Sequence, residues 1–318
     1  MMTFKKPKKI IFFGGGKIIF DLFNLAKKKN IELVVFTEKR HLSQFFGKHK
    51  LSSFLEKKKI KYHISNKNIE KKILGEISPT SIGISYRYSF IFSKKIIKRF
   101  NNHLFNIHSQ SLPQFRGKGG FTWNILKQSN VLGSTIHLVS SKIDKGIILM
   151  KIEKKYNLQN RTYDDVEKKV YKIDQKIIKD FINKILQKNK FRSYKFSSNL
   201  SYYWPSLKTK KNAWINFEWG QENVINFING FSGKFGGALS YCDKKIIRLQ
   251  SARKPHKNEK FHPYQVGIVF RIIKNKIFIA CEDGAVTCHY YLHNNEKIKI
   301  GSRIKTPTKK LEQSLVNL

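Results

Sequence analysis

Two polar residues, Asn106 and His108, lie at the end of the apolar run Leu104–Ile107, which predicts a buried β-strand. Because side chains alternate along a strand, the Asn106 amide and the His108 imidazole lie on the same side of it. An amide N–H can stabilise a developing oxyanion, and an imidazole can accept a proton. The pair is therefore suited to a reaction that passes through a tetrahedral intermediate. A histidine at a strand end is also common as a hydrogen-bonded structural residue, and this alternative stays open.

A second group of polar residues follows on the next predicted strand and its loop. His137 lies in the alternating segment 133–139, and Asp144 lies in the loop after it. A carboxylate at this place could orient the imidazole of His108 or hold a water molecule beside it. His137 is either a second contact to substrate or a residue that only packs and hydrogen-bonds.

A glycine run, Gly14–Gly16, closes the first apolar segment of the chain. A dinucleotide-binding G-x-G-x-x-G motif requires glycine at position 19, where Ile19 stands, and the Gly-Lys-Ser/Thr sequence of a P-loop does not occur. The glycines indicate a sharp turn from strand to helix, with contact to an anionic ligand at the helix N-terminus as the alternative.

Four short motifs follow one another along the chain: Asn106-x-His108, Leu112-Pro113-x-x-Arg116-Gly117, Thr135-x-His137 and Ile143-Asp144-x-Gly146. In this order they resemble the motifs of the formyltransferases that use 10-formyltetrahydrofolate. The likeness spans about residues 10–150. The layout with a C-terminal barrel also resembles the methionyl-tRNA and amino-sugar formyltransferases. The ordered set is specific, whereas each motif alone is not.

The resemblance implies a role for each of three catalytic residues. Asn106 donates to the oxyanion that develops on the formyl group, His108 accepts or relays the amine proton, and Asp144 orients His108 and a water molecule. The implied co-substrate is 10-formyltetrahydrofolate, whose pterin is bound by the backbone of two loops. The expected cofactor-binding residues on these loops are Tyr86, Arg87, Tyr88, Ser140, Ser141 and Ile143. Formyl transfer from the folate N10 to a primary amine needs neither a metal nor a covalent nucleophile.

The segment after the Arg-Gly motif bears on the identity of the acceptor. The tRNA enzymes typically continue with Ala-Ala-Pro, whereas this chain continues from Lys118 as Lys-Gly-Gly-Phe-Thr-Trp. Its aromatic rings could stack on a sugar, and the segment Lys39–Leu51 is shorter than the basic loop usual in tRNA enzymes. Both features favour a nucleotide-linked amino sugar. The expected acceptor-binding residues are Arg116, Gly117, Phe121, Trp123 and His137.

Initiator methionyl-tRNA is the alternative acceptor. The chain has 63 Lys and Arg against 21 Asp and Glu, a net charge of +42, with basic stretches at Lys208–Lys211 and Lys305–Lys310. Such a charge favours contact with polyanions. The lysines are spread through every segment together with Ile, Asn and Phe, however, as A/T-rich codons would produce. A third hypothesis is a non-catalytic RNA-binding protein on the same scaffold.

The apolar pattern that must position these residues is typical of the α/β class. Short apolar runs alternate with stretches of helical length, which predicts a Rossmann-like, mostly parallel sheet with helices on both faces. A long helix begins at the capping-box residues Thr162 and Asp165. We predict a catalytic domain at 1–196, a linker at 197–211, and a smaller β-rich, OB-like barrel domain at 212–318.

Composition excludes several classes of protein. The three cysteines, Cys242, Cys281 and Cys288, do not suit a disulfide framework and favour a reducing, cytoplasmic location. No metal is predicted, because Cys281, Cys288 and His289 lack a fourth ligand at useful spacing. No apolar run approaches the ~20 residues of a membrane span, so no membrane partner is expected.

Overall fold

The computed structural model describes residues 1–46, 49–157, 159–188, 190–256, 259–292 and 297–316. These residues form two compact units. The first comprises residues 1–116, 133–154 and 170–203, and the second comprises residues 117–132, 155–169 and 204–318. Residues 117–132 and 155–169 thus group with the C-terminal strands. The predicted domain limits stay a prediction.

Strands and helices alternate in the first half of the chain. Up to residue 108 they are β1 (Lys9–Gly14), α1 (Ile18–Lys28), β2 (Glu32–Thr37), α2 (Lys39–Leu42), β3 (Phe45–Phe46), β4 (His49–Lys50), α3 (Leu51–Lys57), β5 (Lys61–Ile64), α4 (Ile69–Glu76), β6 (Ser81–Tyr86), α5 (Lys94–Phe100) and β7 (Leu104–His108). They are followed by β8 (Arg116–Gly117), α6 (Gly120–Leu126), β9 (Val131–Leu138), β10 (Ile148–Lys155), α7 (Tyr163–Leu186) and β11 (Tyr203–Trp204). The capping box predicted at Thr162 and Asp165 is confirmed, since each residue's side chain accepts from the backbone N–H of the other.

The first unit is built on a seven-stranded sheet in the order β10-β9-β7-β6-β1-β2-β5. β1 pairs in parallel with both β2 and β6. The pairs of β2 with β5 and of β6 with β7 are parallel as well. β9 runs antiparallel to β7. The prediction of a mostly parallel, Rossmann-like sheet is therefore confirmed, and the carboxyl ends of β1, β6 and β7 meet at one edge.

The strands of this sheet are buried on both faces. Ile10 and Phe12 of β1 pack into a core that includes residues of α1, α3 and α7, whereas Ile11 and Phe13 pack into a core with α4 and α5. This explains why β1 reads as a continuous apolar run. The run ends at Gly14 because a Cβ there would lie 1.9 Å from the carbonyl oxygen of Tyr86.

The second half of the chain confirms the β-rich C-terminal domain. Its elements are α8 (Thr209–Asn212), α9 (Gln221–Gly230), β12 (Ala238–Cys242), β13 (Lys245–Arg253), β14 (Val269–Ile273), β15 (Lys276–Cys281), β16 (Gly284–Leu292), β17 (Ile304–Lys305) and α10 (Thr308–Val316). Short 3₁₀ helices lie at Phe217–Trp219, Gly233–Phe235 and Pro263–Gln265. The strands form one six-stranded sheet in the order β14-β15-β16-β13-β12-β17, and α9 contributes to its core. None of the helices in the described ranges is long and apolar enough to cross a membrane.

Candidate active site

Asn106 and His137 face each other across the antiparallel pair β7 and β9. The Asn106 amide nitrogen lies 3.1 Å from Nε2 of His137, and Nδ1 of His137 lies 2.8 Å from the carbonyl oxygen of Leu138. A carbonyl oxygen only accepts, so Nδ1 carries the hydrogen and Nε2 of the neutral ring accepts from the Asn106 amide. His137 thereby fixes which way the Asn106 side chain is turned.

His108 is held by a different partner. Its Nε2–H donates to the carbonyl oxygen of Phe115, and its Nδ1 lies 3.8 Å from Oδ1 of Asp144. The same carboxylate oxygen lies 3.7 Å from Nε2 of His137. Both separations exceed a hydrogen bond but lie within the range of strong electrostatic interaction between partly buried groups. The three predicted catalytic residues and His137 are therefore brought together, with the His108 and Asp144 side chains each 11% exposed.

The loop after β9 delivers Asp144 to this place. Its backbone is left-handed at Asp144 (φ 51°), a conformation that aspartate adopts more readily than most residues. Two residues later, a Cβ on Gly146 would lie 1.6 Å from the carbonyl oxygen of Leu138. The loop then comes back to the end of β9, where the backbone N–H of Leu138 donates to the carbonyl oxygen of Ile147 at 2.9 Å. Gly146 is therefore needed for the close return that sets Asp144 beside the histidines.

The predicted pterin-binding residues at the end of β6 and directly after it make contacts within the protein. Tyr86 is 1% exposed and its hydroxyl donates to Asp174 at 2.8 Å, so this side chain faces the core and not a ligand. The Arg87 carbonyl oxygen accepts from Arg40 at 3.0 Å. The hydroxyl of Tyr88 is hydrogen-bonded to Ser65, and burial raises its pKa to about 12. Backbone contact to a pterin at this loop stays a prediction.

The second predicted pterin loop has a different character. Ser140 is half-buried and its hydroxyl donates to the carbonyl oxygen of Lys142. Ser141 and Ile143 are exposed, and Ile143 exposes 52% of its surface. An exposed apolar side chain directly before Asp144 is suited to contact with a flat ring system.

Arg116, predicted to bind the acceptor, is held by residues of its own unit. Its Nε donates to the Ser201 hydroxyl at 2.7 Å, and its guanidinium group lies over the rings of Phe196 and Tyr203. Gly117 follows with a left-handed backbone (φ 93°). His137, also predicted to bind the acceptor, instead lies against Asn106 with 3% of its side chain exposed.

The prediction that Phe121 offers a free ring for stacking does not agree with the structure, whereas Trp123 is half-buried and its contact with the acceptor stays a prediction. Both lie on α6, which belongs to the second unit. Phe121 is 7% exposed and packs against Tyr163, while the Trp123 ring packs on Trp204 and its N–H donates to the carbonyl oxygen of Pro205. The correction has a physical reason: the segment forms a helix, and its large apolar side chains are used for packing.

Asp174 on α7 lies next to the site and was not predicted from the sequence. It is fully buried and accepts from the hydroxyls of Tyr86 (2.8 Å) and Ser109 (2.9 Å), and Ser109 directly follows His108. Burial raises the pKa of Asp174, although the neighbouring hydroxyls and Arg87 favour its charged form. The available signal was an acidic residue on the apolar stripe of an amphipathic helix, four positions after Val170.

Within the described ranges, no group of three or more His, Cys, Asp or Glu residues is arranged to hold a metal ion. Cys242, Cys281 and Cys288 are free and buried. Burial raises the pKa of Cys281 to about 12, which makes its thiol a poor nucleophile at neutral pH.

Fold and site together define an α/β protein with an amide, two imidazoles and a carboxylate at the edge of a mostly parallel sheet, followed by an antiparallel domain. Residues 8–182 match the formyl transferase family, and residues 208–310 match the formyl transferase C-terminal domain. The first match covers more than half of the chain, and the chain therefore belongs to the formyltransferase family.

Two relatives resemble part of this chain. It is 31% identical over 186 residues to the bifunctional polymyxin resistance protein ArnA of Wigglesworthia glossinidia brevipalpis, covering 56% of this chain and 27% of that protein. It is 27% identical over 213 residues to the methionyl-tRNA formyltransferase of Clostridium tetani, covering 67% of this chain and 66% of that enzyme. The matched part is thus about a quarter of the first relative and just under two thirds of the second.

A solved structure shares the fold over nearly the whole chain. The N-formyltransferase from Helicobacter canadensis, crystallised with folinic acid and dTDP-3-aminofucose, superposes with a TM-score of 0.71 at 19% identity. The superposition covers 91% of this chain and 100% of that one. At this level of identity the likeness concerns the fold.

Proposed function

We propose that this protein transfers a formyl group from 10-formyltetrahydrofolate to a primary amine. The observation that carries the proposal is the cluster of Asn106, His108 and Asp144 at the edge of the sheet, with His108 and Asp144 3.8 Å apart. In the reaction the amine nitrogen attacks the formyl carbon, and the bond from that carbon to the folate N10 breaks. The amine loses one proton and N10 gains one, so the site must stabilise an oxyanion and move a proton.

The hydrogen bonds of the two histidines support a division of these tasks. One N–H of the Asn106 amide donates to His137, which directs the amide and leaves its second N–H to stabilise the oxyanion. Nε2 of His108 is committed to the Phe115 carbonyl oxygen, so Nδ1 is the nitrogen that takes up the amine proton. The Asp144 carboxylate near Nδ1 stabilises the imidazolium that this step creates.

For the formyl donor, we propose contact with the backbone of residues 86–88 and 140–143. Two facts support this placement. The loop 140–143 leads directly to Asp144 and exposes Ile143, and the Helicobacter canadensis relative was crystallised with a folate, folinic acid. We also assign the protein to a reducing, cytoplasmic location, because its three cysteines are free and buried.

For the acceptor, we place a nucleotide-linked amino sugar ahead of initiator methionyl-tRNA. The Helicobacter canadensis relative was crystallised with dTDP-3-aminofucose, and its fold matches 91% of this chain. The departure from the tRNA enzymes at Lys118–Trp123 supports the same choice, although the buried ring of Phe121 removes its stacking as a reason. The methionyl-tRNA formyltransferase of Clostridium tetani and the net charge of +42 favour the alternative.

The test is formyl transfer by the purified full chain with 10-formyltetrahydrofolate and a panel of acceptors that contains dTDP-linked amino sugars and methionyl-tRNA. We expect His108→Ala to lower kcat by ~10²–10⁴ with the correct acceptor and to change folate binding little. His256→Ala, at an exposed histidine of the second unit, is the matched control and should keep wild-type turnover.

Each alternative has its own outcome in this assay. Near-normal turnover by His108→Ala would refute its role as the base. Transfer to methionyl-tRNA alone would reverse the order of the acceptors and leave the mechanism unchanged. Binding of tRNA without transfer to any acceptor would favour the RNA-binding hypothesis over an enzyme.

A further inference from the structure

The second unit contains a polar cleft that has no part in the proposed reaction. Its volume is about 520 Å³. Segments from three parts of the chain line it, and all of them belong to the second unit. Five of the lining residues are amides, and the other three are a lysine, a glutamate and a tyrosine: Gln128, Asn130, Asn157, Gln159, Asn226, Lys155, Glu222 and Tyr156.

One of these amides is buried without a hydrogen-bond partner for its nitrogen. Asn226 on α9 is 5% exposed, and its Nδ2 has no acceptor among the residues that the structure describes. Asn229, on the next turn of the same helix, shows the ordinary arrangement. Its buried amide donates to the Ala252 carbonyl oxygen at 3.0 Å and accepts from the Ala252 N–H at 2.8 Å. Because buried polar groups are nearly always paired and Asn226 lines the cleft, its amide favours a ligand there that supplies an acceptor.

The chemistry of the lining favours a neutral ligand. The chain as a whole carries a net charge of +42, yet the cleft contains one lysine and one glutamate, whose charges cancel. A phosphate or a nucleic-acid backbone would require an excess of cations. Amides both donate and accept, and a carboxylate accepts from two hydroxyls, so this set suits a ligand rich in hydroxyl groups. Glu222 and Asn226 lie four residues apart on α9 and therefore on the same face of the helix.

We propose that the cleft is a binding site for a neutral carbohydrate. The Asn226 amide donates to a hydroxyl or ring oxygen of the sugar, Glu222 accepts from its hydroxyls, and the other amides line the rim. The sugar is either a free saccharide or the glycosyl part of a nucleotide sugar, since both present the same hydroxyls. This site is built independently of the residues that carry the proposed formyl transfer, and its test does not depend on that activity.

The experiment is saturation-transfer-difference NMR on the full chain with N-acetylglucosamine, glucose and fucose. We expect saturation transfer to at least one of these sugars. Asn226→Leu, which removes the donor and keeps the volume, should weaken the binding by about 10-fold or more. Glu222→Gln, at an exposed position, should weaken it as well and serves as the second variant if Asn226→Leu does not fold.

The matched control is Asn223→Leu. Asn223 is exposed on the same helix, does not line the cleft and donates to the Trp219 carbonyl oxygen, so this variant should bind the sugar normally. Competition by a dTDP-linked sugar but not by dTDP alone would support the proposal and assign the bound sugar to a nucleotide sugar. Absence of saturation transfer to every sugar, equal binding by Asn226→Leu and wild type, or binding of adenosine instead of the sugars would overturn it. Folding of each variant is checked by circular dichroism.

Discussion

The two histidines of the candidate active site differ in the partners of their ring nitrogens. His137 has both nitrogens committed, to the Asn106 amide and to its own strand at Leu138. His108 has one nitrogen committed to the Phe115 carbonyl oxygen and the other 3.8 Å from Asp144. Both rings lie near the Asp144 carboxylate. A ring with both nitrogens hydrogen-bonded serves to hold a neighbour, whereas a ring with only one nitrogen hydrogen-bonded to a carbonyl oxygen can gain a proton on the other. The structure thus favours the second interpretation of His137, in which it only packs and hydrogen-bonds.

The charge of Asp144 is the feature to test at this scale. Asp144→Asn keeps the shape and tolerates the left-handed backbone, but it removes the stabilisation of the His108 imidazolium. We expect kcat to fall by roughly 10²-fold or more, with little change in Tm. Asp243→Asn is the control, because Asp243 is also left-handed (φ 47°) and is exposed. A large fall in Tm with unaltered kcat would make Asp144 a structural residue.

The sequence predicted which residues meet at the site better than it predicted which ones are accessible. Asn106 and His108 followed from strand alternation, a rule that depends only on neighbours in the chain. The burial of Phe121 depends on Tyr163, and that of Asp174 on Tyr86 and Ser109, which are 42, 88 and 65 positions away respectively. No local pattern reports contacts of that kind, so both were missed.

At the scale of elements, an ion-pair network at Glu76 joins the end of α4 to two strands of the first sheet. The Glu76 carboxylate contacts Lys9 on β1 at 3.1 Å, Lys61 on β5 at 2.5 Å and His63 on β5 at 3.4 Å. Burial by itself favours the neutral carboxyl, but the hydrogen bonds from these three residues outweigh it and lower the pKa of Glu76 to about 2. The network therefore stabilises the fold only while Glu76 is charged.

Glu76→Gln should show this pH dependence. The folded-state pKa lies below the ordinary value of 4.5, so the stabilisation is present above about pH 4.5 and is lost as the pH falls toward 2. We expect the variant to lose about 2–3 kcal/mol of unfolding free energy at pH 7, and to approach wild type below pH 3. Urea unfolding at several pH values measures this. Glu153→Gln, at an exposed pair with Lys151, should cost less than about 1 kcal/mol, and an equal loss in both variants would contradict the expectation.

Some elements had no clear signal in the sequence. The apolar runs that became β1, β6 and β7 are buried on both faces and were easy to recognise. β12 and α10 were missed: Ala238–Cys242 contains Ser240 and Tyr241, and Thr308–Val316 has exposed apolar residues at its end. β12 forms through its pairing with β13 and β17, which lie elsewhere in the chain. Pairing of that kind overrides local propensity.

At the scale of the whole molecule, the net charge of +42 should affect the binding of the two candidate acceptors differently. This charge would attract a tRNA through many phosphates but a nucleotide sugar through only one pyrophosphate. The exposed residues Lys208, Lys210 and Lys211 form the basic stretch at the start of the second matched domain. Their contribution is measurable because counterion release makes binding depend on salt.

Replacing Lys208, Lys210 and Lys211 together by Gln should distinguish the two acceptors. With a nucleotide sugar as acceptor, we expect kcat/KM to stay almost unchanged at all salt concentrations. With tRNA, log K against log salt should fall by about 0.7–0.9 per neutralised phosphate, and the variant should flatten that slope. The matched control replaces Lys27, Lys28 and Lys29, which are exposed in the first unit. A steep slope that only the first variant flattens would reverse our order of acceptors.

The register of β7 and β9 restricts how the length of this chain can vary. Asn106 and His137 are direct partners across that pair, and successive side chains on each strand point to opposite faces. Removing one codon between Gly133 and Ile136 would turn His137 away from Asn106, and removing two would restore the face but displace the ring along the strand by about 7 Å. Descendants of this gene can therefore exchange residues in the strand more readily than they can change their number.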